Sequence, residues 1–185
     1  MKKRILILGV VLAVVFSAAA FAKSNVGFYG VGGKIGYVKP DDIDGTLGFG
    51  VVADLGKLTD KLSLEGELLY WSKGEKEMGV KASYSEIHIG ALTKYFFPQK
   101  KGATMFPYAG GGIGFIMQKA KVEYESEWLG DNEKSDSETD LGIHLLAGIR
   151  KALSPTMNGF AEIRYTIGGA DILGIFVGAV VKMGK

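Results

Sequence analysis

From Tyr84 to Phe97 the chain reads YSEIHIGALTKYFF, and its apolar and polar positions alternate with a period of two. Ile87, Ile89, Ala91, Thr93, Tyr95 and Phe97 fall on one face of an extended strand, and Glu86, His88, Gly90, Leu92 and Lys94 on the other. Strands of soluble sandwiches usually stop after about 5 to 6 residues, whereas this pattern runs for the roughly 9 to 11 that a tilted strand needs to cross a bilayer. It closes on Tyr95-Phe96-Phe97, a cluster suited to an aromatic girdle at the membrane surface.

The same period recurs along the chain. Tyr29, Val31, Gly33, Ile35 and Tyr37 oppose Phe28, Gly30, Gly32, Lys34 and Gly36; Leu47, Phe49, Val51, Ala53 and Leu55 oppose Gly48, Gly50, Val52 and Asp54. Leu62, Leu64, Gly66, Leu68 and Tyr70 oppose Ser63, Glu65, Glu67, Leu69 and Trp71, so a third strand carries two carboxylates on one face. After the opening stretch come Ala109 to Met117 against Tyr108 to Gln118, Ile143 to Ile149 against His144 to Arg150, Ala161 to Ile167 against Phe160 to Thr166, and Leu173 to Met183 against Phe176 to Lys182. The pattern predicts an all-β fold, an eight-stranded antiparallel up-and-down transmembrane β-barrel, and the even count suits a barrel with both termini in the periplasm.

Between the strands, Pro40 to Gly45, Gly56 to Lys61, Pro98 to Thr104, Ser154 to Met157 and Gly168 to Asp171 read as turns, and Lys73 to Lys81 as a charged loop. Lys119 to Asp140 is the longest polar segment, and its first part, Ala120 to Tyr124, is able to extend a hairpin beyond the membrane. The connections after strands two, four and six are short and suit the periplasmic side.

The inward faces collect Asp54, Glu65, Glu67, Glu86 and Glu162 against Lys34, Lys94, Arg150, Arg164 and Lys182, with His88 and His144 among them. No charge falls at the centre of a lipid-facing strand, where a Lys or Arg would cost about 2 to 4 kcal/mol. An eight-stranded barrel is only wide enough for its side chains to fill it, so opposite charges are expected to pair into a plugged polar lumen with small water pockets. The many glycines of strand five leave room for large side chains arriving from across the lumen and permit tight curvature.

Lys2, Lys3 and Arg4 precede an apolar run from Ile5 to Phe16, and Ala20-Phe21-Ala22 supplies the small residues of a cleavage site. Residues 1–22 therefore read as a cleaved signal peptide and 23–185 as the barrel domain. Losing those three cations takes the net charge from +2 to −1, which leaves no nucleic-acid footprint. There are no cysteines, so no disulfide staples the fold.

The Phe28-Tyr29-Gly30-Val31-Gly32-Gly33-Lys34-Ile35-Gly36-Tyr37, Pro107 to Phe115 and Ala161-Glu162-Ile163-Arg164-Tyr165 segments, with the signal peptide, resemble the OmpA/OmpX-like superfamily of small outer-membrane β-barrels over the whole mature chain. The resemblance implies residence in the outer membrane of a Gram-negative bacterium, in contact with lipid and lipopolysaccharide and delivered by the outer-membrane insertion machinery. Such barrels usually end on an aromatic residue, whereas this chain ends Lys182-Met183-Gly184-Lys185. Gly178, Val181 and Met183 keep the spacing of that signal with no aromatic residue.

Little in the sequence asks for catalysis. His88 and His144 invite comparison with outer-membrane lipid hydrolases, but Ser83 and Ser85 lie on the face opposite His88 and no serine neighbours His144. Gly48-Phe49-Gly50 and Gly32-Gly33-Lys34 precede no helix, which phosphate binding requires. Asp131, Asp136, Glu138 and Asp140 offer oxygen ligands without an EF-hand pattern, so neither metal nor cofactor is expected. Trp128 and Leu129, apolar within the acidic segment, are candidates for contact with a partner, with lipopolysaccharide or with the barrel rim.

The expected role is structural or interaction-based: a monomeric, non-enzymatic barrel that presents residues 119–140 to an extracellular partner. A small porin-like passive channel is the alternative, a lipid-modifying enzyme the third. A soluble calycin-like barrel would invert every inside and outside assignment.

Overall fold

The computed structural model describes residues 25–41, 43–77, 80–124, 132–169 and 171–183. The alternating segments form β1 (Asn25–Pro40), β2 (Thr46–Lys57), β3 (Leu62–Glu77), β4 (Val80–Phe96), β5 (Met105–Tyr124), β6 (Asn132–Ser154), β7 (Met157–Ile167) and β8 (Ile172–Lys182). Each strand pairs antiparallel with the next, and β8 pairs back onto β1 to close the barrel. The expected eight-stranded up-and-down fold is the observed one. Closure removes sheet edges, so the backbone donors and acceptors along the barrel wall are satisfied from within the sheet.

Apolar residues cover the outside. Ile35, Phe49, Leu68, Ile89, Phe115, Leu145, Ile163 and Ile175 are all exposed, one from each strand, while the positions between them turn inward. The soluble alternative required the reverse. Tyr37, Tyr95 and Tyr165 lie near the ends of the apolar band, as interfacial aromatics do.

Four local readings are corrected. Phe28 does not share the inward face with Lys34: an irregularity between Val26 and Gly30 shifts the β1–β2 register and leaves Phe28 54% exposed. Phe96, assigned to the girdle, is half-buried inside, with its ring centroid 5.3 Å from that of Tyr108. The charged Lys73–Lys81 loop is mostly strand, since Lys73↔Tyr84, Glu75↔Ala82 and Lys76↔Lys81 are paired. In the polar segment after Lys119, Ala120 to Tyr124 extend the hairpin as expected, but the stretch read as loop from residue 132 to Asp140 is strand as well, with β5 and β6 paired from Lys119↔Ser137 up to Tyr124↔Asn132. Composition suggested loops, but hairpins above a barrel have no apolar face to display a period-two pattern.

The glycines of strand five meet the paired strand and not side chains from across the lumen. A Cβ on Gly112 would lie 2.1 Å from the Ala91 carbonyl oxygen and 2.7 Å from the Leu92 side chain of β4, and inward glycines on other strands behave likewise. A Cβ on Gly36 would lie 2.1 Å from the Ile175 carbonyl oxygen and 2.5 Å from the Phe176 ring. A Cβ on Gly178 would lie 2.5 Å from the Phe160 ring, and one on Gly148 2.7 Å from the Tyr108 hydroxyl. These large side chains come from the directly paired neighbouring strand, not from across the lumen. Strongly coiled strands bring neighbours close, and glycine is what fits between them.

Two substitutions test this arrangement. Val177→Arg, midway along the outer face of β8, is expected to lower unfolding stability in phospholipid vesicles by about 2 to 4 kcal/mol, read from denaturant titration. Gly36→Val is expected to block closure, read as loss of the heat-modifiable gel band that marks folded barrel.

Candidate functional site: the plug and the hairpin end

Alternation on β1, β3, β4, β6 and β7 sends seven charged side chains into the same interior. They form one chain of alternating sign. Arg150 donates to Glu65; Glu65 also accepts Lys94 at 2.6 Å; Lys94 reaches Glu162 at 2.9 Å; and Glu162 accepts Arg164 at 2.7 Å. Arg164 forks onto both oxygens of Glu67, its Nη2 bond being 2.7 Å, and Lys34 completes the series at 2.5 Å from Glu67. Each carboxylate thus holds two cations, and all seven are buried except Arg150, which is half-buried.

The chain carries four cations against three carboxylates, and aromatic faces take up the imbalance. Lys34 Nζ lies 4.3 Å from the Phe176 ring centre, Lys94 Nζ 4.9 Å from Tyr108 and 5.1 Å from Phe160, Arg150 4.7 Å from Phe96, and Arg164 5.6 Å from Phe176. The negative face of each ring attracts the cation above it. Tyr108 also donates its hydroxyl to Glu162 at 3.0 Å.

A second polar group sits nearer the β3–β4 hairpin. Glu86 accepts from Trp71 Nε1 at 3.2 Å and from the Tyr84 hydroxyl at 2.9 Å, and contacts His88 Nε2 at 2.8 Å. The His88 ring stacks on that of His144 with centroids 6.0 Å apart, and His144 Nδ1 meets Thr166 Oγ1 at 3.0 Å. The polar partners of the two histidines are therefore a carboxylate and a threonine. No group of three or more His, Cys, Asp or Glu able to hold a metal occurs among the described residues.

Asp54 and Lys182 do not join the network. Asp54 is half-buried and accepts the Gly56 N–H at 2.9 Å, Lys182 is exposed, and both line a cavity of about 400 Å³ with Tyr29, Lys57 and Met183 at the end holding the short turns. Another cavity of about 590 Å³ opens at the hairpin end beside Lys39, Asp44, Lys73, Glu75, Tyr84 and Val122. The charged chain lies between the two. Nor is the lumen wholly polar: Val38, Leu69, Trp71, Ile172 and Phe176 form one apolar cluster, Val52, Phe160 and Val180 another, and Leu92, Tyr108 and Leu146 a third. Sequence reasoning overlooked these packing partners, although their inward parity is the same signal that picked out the charges. Trp128, Leu129 and residues 1–22, the expected signal peptide, lie outside the described residues.

The Outer membrane protein beta-barrel domain matches residues 8–175. Among solved structures, Neisserial surface protein A is similar at a TM-score of 0.64 and 18% identity, covering 86% of this chain and 99% of that one. Ail, the attachment invasion locus protein of Yersinia pestis, is similar at 0.58 and 17%, covering 84% and 97%. A major outer membrane protein from Thermus thermophilus is similar at 0.57 and 12%, covering 85% and 100%. No curated protein matches in sequence.

Removing one partner of a buried ion pair costs about 3 to 5 kcal/mol, because the charge left behind is uncompensated. Glu67→Gln, which leaves Arg164 and Lys34 facing a neutral amide, is expected to lower stability by about that amount in denaturant titration of the folded protein. Adding Lys34→Met should restore part of the loss.

Proposed function

The chain belongs to the outer membrane protein beta-barrel domain family, and from that premise we propose that it is a monomeric surface barrel: closed by its plug, structural within the membrane, and specialised to hold a tall hairpin platform outside the cell. The observation that carries this reading is the difference in strand height. β3 to β6 run on past their neighbours: β2 stops pairing with β3 at Gly48↔Trp71, and β7 stops pairing with β6 at Ile143↔Ile167. Above those points β3–β4 and β4–β5 remain paired to Glu77↔Val80 and Val80↔Tyr124, so a four-stranded sheet projects above the rim.

Its outer face changes character at that height. Tyr70, Ile87, Met117 and Leu141 end the apolar band, and Ser72, Ser85, Lys119 and Thr139 follow, a composition suited to water or to lipopolysaccharide headgroups. The short turns and both described ends of the chain gather at the opposite rim, as expected for the periplasmic side of a Gram-negative outer membrane. Two of the three named neighbours carry the words surface protein and attachment in their titles, an analogy that extends only to the shared fold. The histidines, bound to Glu86 and Thr166, support a non-enzymatic role.

Protease treatment of intact cells tests the orientation: cleavage within residues 119–140 is expected, and protection of that segment until the envelope is opened would overturn the surface reading. Planar-bilayer recording tests the plug. Folded protein should give no steady conductance steps; regular steps from heat-modifiable protein would favour the passive-channel alternative.

A further inference from the structure

The rim that holds the short turns is basic. Lys57, Lys61, Lys100, Lys101, Lys151 and Lys182 are all exposed there, against Asp54 and Asp60. Among the described residues, no hydrogen bond or ion pair engages the ammonium group of any of the six.

Two of these lysines share a cavity with Asp54, and irregularities in two strands bring them to it. Between Asp54 and Lys57 the chain takes three steps along β2 against two along β3, since Asp54 pairs with Glu65 and Lys57 with Ser63. Glu65 and Ser63 are both buried on the inner face, so Lys57 turns to the same side as Asp54, which a regular strand would not permit. The irregularity of β1 between Val26 and Gly30 lies beside it and sets Tyr29 over Gly56, where a Cβ would stand 2.5 Å from the Tyr29 ring. Gly30 pairs with Asp54 on one side and Lys182 on the other. Those two residues therefore stand on strands about 9 to 10 Å apart with no side chain between them. The gap is fixed, because a Cβ on Gly30 would lie 2.5 Å from the Val181 carbonyl oxygen. The resulting cavity, about 400 Å³, is the size of a small-molecule cleft.

The lining defines what fits. Two lysines and one carboxylate leave one net positive charge. One Asp54 oxygen accepts the Gly56 N–H, and among the described residues no hydrogen bond engages the other, which is open to a donor. Part of the lip is apolar: Met183 lines the cavity and continues the exposed row of Val177 and Val181 on β8, while Phe28, next in the chain to Tyr29, is exposed as well. The cavity thus opens at the margin of the apolar band, where the phosphates of a lipid leaflet lie and where lysines extend their charge from apolar surroundings. A molecule with one negative charge, hydroxyl donors and hydrocarbon matches all three features.

We infer that this cavity binds the headgroup of an anionic phospholipid of the periplasmic leaflet, of the phosphatidylglycerol type, with its phosphate between Lys57 and Lys182 and its glycerol hydroxyls donating to Asp54. The leaflet follows from the orientation proposed above, whereas the site itself is read without it. Full-length protein folded in detergent is titrated with phosphatidylglycerol, phosphatidylcholine and phosphatidylmethanol, and retained lipid is counted by native mass spectrometry. Phosphatidylmethanol carries the same charge as phosphatidylglycerol but no headgroup hydroxyl. One phosphatidylglycerol per barrel is expected, held several-fold better than phosphatidylmethanol and better still than phosphatidylcholine.

Three variants, each first shown to fold by its heat-modifiable band, locate the cause. Lys57→Gln with Lys182→Gln is expected to weaken phosphatidylglycerol retention about tenfold. Lys100→Gln with Lys101→Gln, which removes as much charge from the same rim outside the cavity, should leave it unchanged. Asp54→Asn should abolish the preference for phosphatidylglycerol over phosphatidylmethanol. Equal retention of phosphatidylglycerol and phosphatidylcholine would overturn the inference, and so would equal losses in the two lysine pairs, which would reduce the effect to the charge of the rim as a whole. Protease cleavage within residues 119–140 on intact cells is unaffected by either outcome, so the inference and the surface reading fall separately.

Discussion

Inside a bilayer no water is available to a backbone N–H or C=O, and that single constraint governs this molecule. A sheet meets it only by closing on itself. With eight strands the enclosed space is narrow, about what side chains can fill. Closure therefore creates a second problem as it solves the first, because the inward side chains must pack against one another and satisfy their own polar groups. The outside has an easier task. It needs only apolar residues at every second position, and β-branched, leucine and aromatic side chains supply them without demanding particular neighbours.

The interior resolves its problem by sharing. Glu65, Glu162 and Glu67 each bind two cations, so no carboxylate depends on one partner, and β1, β3, β4, β6 and β7 are joined across the lumen from Arg150 to Lys34. The leftover cationic character is spread over Phe96, Tyr108, Phe160 and Phe176. Those rings need space, and the glycines beside them on the paired strands provide it. Charge, ring and glycine are thus one device: replacing Gly36 or Gly178 displaces Phe176 or Phe160, and with it the surface on which Lys34 or Lys94 rests.

Period-two alternation made the strands, their faces and their number legible, because within a bilayer the pattern is enforced at every step. It also showed which charges point inward. It could not show which of them meet, since pairing across a lumen depends on strand stagger: Glu67 and Arg164 lie 97 residues apart. Asp54 and Lys182 share the inward parity yet lie too near the rim to reach the plug. Phe28 was misplaced because an irregularity in register reverses parity locally and carries no residue signature, and Phe96 because an aromatic beside Tyr95 and Phe97 looks the same whichever way it turns. Beyond Ala120 to Tyr124, the hairpin extensions were hidden for a deeper reason. Above the membrane both faces of a strand are wet, so the alternation that betrays a strand disappears while the hydrogen-bonded ladder continues.

That continuation changes what the same ladder does. Below the rim each strand has two neighbours, and an open edge would be intolerable in hydrocarbon. Above it β3 to β6 continue as a ribbon whose edges are exposed to water, where an unpaired N–H costs little but can template unwanted pairing. The two edges are handled differently, one capped by Thr46 and the other lined by Asp136, Glu138 and Asp140. A cap closes an edge by taking up its backbone groups, whereas carboxylates guard it by repelling a second copy of the same edge. The sequence places an acidic stretch where the ladder first becomes open, so a fold that hides every edge in the membrane guards with charge the edge it carries beyond it.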